Sequence, residues 1–214
     1  MTQLTEYYRH RAAEYDAVYA KPERQDDLAT LHRMLPPLVQ GRRVLEIAAG
    51  TGYWTRTLSQ SAAAITATDL NPETLDVARA RDYGPAAVTF RRADAFALDE
   101  VPGQFDTAFI GFFWSHIQRA DVPRFLSGLH ARLGPGARVI AADNRFVAGS
   151  STPLSRTSAA GDTYQHRTLS DGRRYEIVKN FPDRGQFSAD VVAVAGEVSW
   201  TELSYFWLAT GTLT

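Results

Sequence analysis

Between residues 44 and 142 the chain alternates short apolar runs with segments of helical spacing, and this alternation limits the possible folds more than any other feature. The runs are 44 to 48 (VLEIA), 64 to 68 (AITAT), 87 to 91 (AVTFR), 105 to 111 (FDTAFIG) and 137 to 142 (ARVIAA). The clearest intervening helix is ADVPRFLSGLHARLG, where Phe125, Leu126, Leu129 and Leu133 form one apolar face and Gly134-Pro135-Gly136 ends it. A crossover helix returns the chain to the same end of the sheet, so successive strands run parallel. An α/β fold follows, with a doubly wound, mostly parallel sheet covered by helices on both faces.

The flanks depart from this rhythm. Leu4, Tyr7, Tyr8, Arg11, Tyr15 and Tyr19 recur at helical spacing, and Leu28, Leu31, Leu35 and Leu38 form a second stripe, ended near Pro36-Pro37 and Gly41. Two leading helices are expected. After the fifth run, AGSSTPLSRTSAAGD is a long polar loop of the kind that forms lids or binding segments. TYQHRTLSDGRRYEIVKNF reads as a hairpin about Asp171-Gly172, QFSADVVAVAG as a helix and LSYFWLATGTLT as a final, reversed strand. With 214 residues and 44% hydrophobic content, residues 1 to 214 are expected to be one domain.

Charge and composition exclude several classes. A formal net charge of -1 supplies no broad basic field, so a nucleic-acid partner is not expected. The absence of cysteine removes disulfides, thiolate metal sites and cysteine nucleophiles together. No run of about 18 apolar residues occurs and the N-terminus is polar, so a soluble, cytoplasmic protein without a membrane partner is expected.

The stretch VLEIAAGTG (44 to 52) joins a buried strand to a helix through small residues that let a ligand touch backbone. A dinucleotide turn would place a third glycine where Thr55 stands, and a phosphate-binding loop would need Gly-Lys-Ser or Gly-Lys-Thr. Asp69, at the end of the second run, can accept both hydroxyls of a ribose at the carboxyl edge of the sheet. Asp94 follows the third run, farther along that edge, within reach of an adenine amino group.

VLEIAAGTG, TATDLNPETLDVAR, RRADAFAL, FDTAFIGFFWSHI and LGPGARVIAADN, in this order and spacing, resemble the successive motifs of the class I S-adenosylmethionine-dependent methyltransferases over roughly residues 40 to 145. The resemblance implies a Rossmann-like sheet of seven strands with a reversed last strand, and leading helices that close as a lid. It divides the domain into a helical lid (1 to 40), a cofactor-binding core (41 to 145) and a part that shapes the acceptor site (146 to 214). The implied cofactor is S-adenosylmethionine. Gly50, Gly52 and Ala48 would approach its methionine part, Asp69 its ribose, and Asp94 with Ala95 its adenine. Leu70 and Phe112 would be further contacts. Glu46 would orient the turn or reach the cofactor's amino group through water. Tyr15 matches the tyrosine of the AAxYD segment found in many members that act on small molecules, and Ala48 stands where many members have glycine.

The implied activity is methyl transfer to oxygen or nitrogen of a small-molecule acceptor, by a monomer or homodimer. For the acceptor side, His116 is a candidate base, and Tyr8, Trp114, Arg145, Tyr164 and His166 are candidate contacts, with Arg167 beside them on the hairpin. Phe112, Phe113 and Trp114 suit a core equally well. Asp143-Asn144 resembles part of the metal site of catechol-type O-methyltransferases, but Gly111 and Phe112 stand where those enzymes need another carboxylate, so no metal is expected. The Asp/Asn-Pro-Pro-aromatic motif of base-modifying methyltransferases is absent. A non-catalytic adenosyl-cofactor-binding regulatory or partner protein is the alternative. A nicotinamide oxidoreductase is opposed by Thr55 and by the lack of a Tyr-x-x-x-Lys pair.

Overall fold

The computed structural model describes residues 3 to 214. Seven strands form one sheet: β1 (Arg43–Ile47), β2 (Ala64–Asp69), β3 (Ala87–Arg92), β4 (Thr107–Gly111), β5 (Arg138–Asn144), β9 (Ser199–Glu202) and β10 (Phe206–Thr212). Their order is β3-β2-β1-β4-β5-β10-β9. The first five pair in parallel, and β10 runs antiparallel to both β5 and β9. Because the winding reverses at β1, the carboxyl ends of β1, β2 and β4 border a crevice, the usual ligand position in such sheets.

Strand alternation divides the core. Val44, Phe109, Ile140, Ala142, Phe206 and Leu208 pack on one face with Leu31 and Leu35 of α2 (Gln25–Val39). Leu45, Ile47, Ala108, Ile110, Ala141 and Trp207 pack on the other, against Phe125 and Leu129 of α5 (Val122–Leu133) and Phe187 of α6 (Arg184–Val191). At about 25 cal/mol per Å² of apolar surface, these two layers supply the main folding drive. Two shorter helices, α3 (Tyr53–Leu58) and α4 (Pro72–Arg79), follow β1 and β2.

The flanks differ in detail from their sequence pattern. The hairpin about Asp171-Gly172 does not join the main sheet: β7 (Thr163–Thr168) and β8 (Arg174–Val178) pair with β6 (Arg156–Thr157) in a separate three-stranded sheet. The strand beside β10 is instead Ser199–Glu202, a run of mixed polarity that occupies an edge. α2 ends at Val39, between Pro36-Pro37 and Gly41 as expected, with both prolines inside its last turn. The leading segment is α-helical only over α1 (Gln3–Arg11) and tightens to a 3₁₀ helix over Ala12–Ala20. Among the described residues no helix is long and apolar enough to cross a membrane.

Candidate functional site

After β1 the chain turns through left-handed backbone at Ala48 (φ 55°), Gly50 (φ 57°) and Gly52 (φ 76°). Asp69 clamps this turn: one carboxylate oxygen accepts the Gly50 N–H at 2.9 Å and the other the Asn71 N–H at 2.8 Å. Burial pushes the Asp69 carboxyl above its ordinary pKa, while those N–H donors pull it back. A Cβ on Gly50 would lie 3.8 Å from the Tyr15 ring. A Cβ on Gly52 would collide with the Tyr83 hydroxyl, so packing beside α4 accounts for that glycine.

Beside the turn lies a cavity of about 370 Å³, within the usual range for small-molecule sites. Ala48, Gly50 and Asp69 line it at one end, and Leu70, Asp94 and Ala95 farther along the strand edge. Tyr8, Tyr15, Phe112 and His116 close it toward the leading segment. Ala48 and Phe112 are the non-glycine residues of positive φ among the described residues, and both line this cavity. Backbone held in that region costs about 1–3 kcal/mol and clusters at functional sites.

The same four side chains, Tyr8, Tyr15, Phe112 and His116, also line a second cavity of about 250 Å³. His116 is fixed at both ring nitrogens: Nδ1 donates to the Val178 carbonyl at 2.8 Å, and Nε2 lies 2.7 Å from the Tyr8 hydroxyl. The carbonyl can only accept, so the proton of the neutral ring sits on Nδ1 and Nε2 accepts from Tyr8. Burial, reinforced by the Lys179 ammonium, pushes the His116 pKa down to about 3. Burial also raises the Tyr8 and Tyr15 phenols well above their ordinary value, keeping both protonated.

Behind His116, the Lys179 ammonium donates to Ser115 Oγ at 2.6 Å and lies 3.3 Å from the buried Asp143 carboxylate. Ser115 N–H and Oγ also donate to Asp143, each at 2.9 Å. Burial opposes ionisation of Asp143, but the ammonium and these donors prevail and hold its pKa below the ordinary value. No cluster of three potential metal ligands occurs among the described residues.

The structure brings Tyr8, Tyr15, Ala48, Gly50, Asp69, Leu70, Asp94, Ala95, Phe112 and His116 to the larger cavity. Other candidates lie elsewhere. Trp114 points to the opposite face of the sheet, its ring 4.6 Å from that of Phe187. Arg145 pairs with Glu202 at 2.8 Å, the Tyr164 ring lies under the Arg156 guanidinium, and His166 is exposed. Glu46 is buried away from the cavity, with Oε2 lacking a hydrogen-bond partner. Arg167 does line the second cavity, as do Lys21, Arg24 and Lys179, which sequence reasoning missed. No spacing marks these three. Only the fold brings them together.

This geometry suits an adenosyl ligand: a glycine of left-handed φ lets backbone approach it, and a buried carboxylate faces the cavity at the second strand end. Residues 44–136 match the family described as Methyltransferase domain. The demethylmenaquinone methyltransferase of Clavibacter sepedonicus is 34% identical over 113 residues, 53% of this chain. The match spans only 44% of that protein, so the chain corresponds to less than half of its curated relative. Among solved structures, a DhpI–SAH complex is 31% identical with a TM-score of 0.78, over 99% of this chain and 95% of that one. A DhpI–SAM–HEP complex gives 30% identity and the same TM-score, over 98% and 95%. The chain belongs to the class I S-adenosylmethionine-dependent methyltransferases.

Proposed function

We propose that this chain transfers a methyl group to oxygen or nitrogen of a small-molecule acceptor, without a metal, by positioning and desolvation. The carrying observation is a pair of cavities that share one wall of Tyr8, Tyr15, Phe112 and His116. The larger takes the cofactor and the smaller the acceptor, so donor and acceptor meet at that wall. When bound, the cofactor supplies a methyl group on a positively charged sulfur, already strongly electrophilic.

The chain's residues then have binding and orienting tasks. Asp69 accepts the ribose hydroxyls, Asp94 and Ala95 hold the adenine against Leu70, and Ala48 and Gly50 give backbone contact to the methionine part. Tyr15 and Phe112 exclude water and present aromatic surface to the sulfonium, an attraction of about 2 kcal/mol when desolvated. His116 acts by position: its low pKa and its bond with Tyr8 leave it a poor proton acceptor, so it sets the Tyr8 hydroxyl and the shape of the wall. Asp143, held by Lys179 and Ser115, has an ammonium where a divalent ion would otherwise be recruited. The leading segment up to residue 40 forms the lid, and residues 146 to 214, the hairpin included, shape the acceptor side.

Calorimetry with S-adenosylmethionine, S-adenosylhomocysteine and NAD tests the cofactor assignment. Labelled cofactor incubated with extracts of the source organism then identifies a methylated product. Binding of both adenosyl ligands but not NAD is expected, with transfer that survives EDTA. Preference for NAD, absence of any labelled product, or a loss with EDTA that magnesium restores would each refute this reading.

A further inference from the structure

The smaller cavity concentrates positive charge in a chain whose formal net charge is -1. Arg11, Lys21, Arg24, Arg167 and Lys179 line it, and no carboxylate does. Lys179 is balanced by Asp143 behind it. The other four have no carboxylate ion pair among the described residues. Glu23, near Lys21 and Arg24, is exposed and accepts from Ser150 Oγ.

These cations are enclosed and held in place. Arg24, only 5% exposed, donates through Nη1 to Asn144 Oδ1 at 3.1 Å and through Nη2 to Ser150 Oγ at 3.0 Å. Lys21 Nζ donates to the Ser150 carbonyl at 2.5 Å. Arg167 donates through Nη1 to Thr152 Oγ1 at 2.5 Å and through Nη2 to Gln165 Oε1 at 2.8 Å, while its buried Nε–H has no partner. Burial lowers the pKa of Lys21, Arg24 and Lys179; Glu23 opposes this at Lys21 and Arg24 and Asp143 at Lys179, while the Arg167 guanidinium lowers each further. Lys21, Arg24 and Arg167 repel one another, exposed Glu23 offsets part of the charge on the first two, and an unpaired donor in a buried site costs about 1–3 kcal/mol. A bound anion relieves both.

We infer that this cavity holds a phosphate-type head group of the acceptor, a tetrahedral phosphorus bearing several anionic oxygens, between Lys21 and Arg24 of the leading segment and Arg167 of the hairpin. This rests on the methyl-transfer reading for the head group to belong to an acceptor. A carboxylate offers two oxygens in one plane and suits a single guanidinium fork. Here cations approach from two separate elements, with the Thr152 hydroxyl beside Arg167, an arrangement that matches oxygens spread over a tetrahedron.

Calorimetry with inorganic phosphate and with acetate, each with and without saturating S-adenosylhomocysteine, tests this on the full chain. Phosphate is expected to bind saturably and more tightly than acetate, and to weaken as salt rises. Lys21→Gln and Arg167→Gln should each weaken phosphate binding about tenfold or more while leaving S-adenosylhomocysteine binding and the far-UV circular dichroism unchanged. Lys21 is half-buried at the rim, so its variant reports on the site even if Arg167→Gln folds poorly. No phosphate binding, equal binding of acetate, or unaltered phosphate binding by both variants would overturn the proposal. Phosphate binding without S-adenosylhomocysteine binding would refute the methyl-transfer reading and leave the anion site standing.

Discussion

Asp69 does two things at once: it faces the larger cavity and it ties the glycine turn to the start of α4 through Gly50 and Asn71. Asp69→Ala removes two charge-assisted hydrogen bonds, so both folding stability and cofactor affinity should fall, by about 1.5–3 kcal/mol for each such bond that loses its partner. Asp69→Asn, which keeps one carbonyl acceptor, should recover part of the stability. Urea unfolding and calorimetry with S-adenosylhomocysteine measure the two effects separately. An affinity unchanged in the Ala variant would place Asp69 outside the cofactor site. At this scale Asp69, Asp94 and Gly50 were legible as residues lining the larger cavity, because the end of a strand in a parallel sheet has one possible place. Trp114 was not, because in GFFWSHI one residue of phase decides which face of the sheet a ring joins, and Phe112 takes a left-handed turn (φ 60°) just before it.

The element that most shapes the site is the leading segment. In α1, Tyr7 packs on Leu169 and Ile177 of the separate hairpin sheet while Tyr8 reaches His116. Farther on, Asp16 accepts from Thr51 at 2.7 Å and pairs with Arg81. These contacts join the lid to the glycine turn at one end and to the hairpin at the other. Tyr15 lies between, its ring against Gly50. Tyr15→Ala should therefore cost about 2 kcal/mol or more of cofactor binding, as for other buried aromatic anchors, with turnover falling alongside. Calorimetry and product formation on one identified acceptor check this, and an affinity within twofold of the parent would show that the lid does not bear on the cofactor. The periodicity of these tyrosines was readable as a helix. Its tightening into 3₁₀ geometry after Arg11 was not, since no proline or glycine marks the change.

Over the whole molecule, two buried groups oppose each other in pH. Burial pushes the Glu46 carboxyl from an ordinary value of 4.5 to about 8, so this group favours the folded state below pH 4.5 and loses that contribution as pH rises toward 8. His116, pushed from 6.5 to about 3, favours the folded state above pH 6.5 and loses its contribution as pH falls toward 3. Between about pH 4.5 and 6.5 the two slopes have opposite sign. From pH 6.5 to 8 that of Glu46 stands alone of the pair. Glu46→Gln is neutral at every pH and nearly the same shape, so it should flatten the fall in stability between pH 6.5 and 8 and be more stable than the parent at pH 8. Urea unfolding across that range checks it. A parent whose stability does not fall there would mean that Glu46 is ionised and solvated.

By itself the sequence determined the sheet, the family and the strand ends that border the larger cavity, because strand alternation, the small residues of a turn and a carboxylate at a strand end are local patterns with few three-dimensional solutions. The tertiary structure alone decided that the hairpin forms its own sheet, since β7 and β8 can pair with each other wherever the pair docks, and docking depends on α1 some 150 residues away. It alone decided the acceptor side as well. Lys21, Arg24, Arg167 and Lys179 come from segments far apart in the chain, each individually ordinary, and their charge becomes meaningful only where burial brings them around one space and leaves it without a carboxylate.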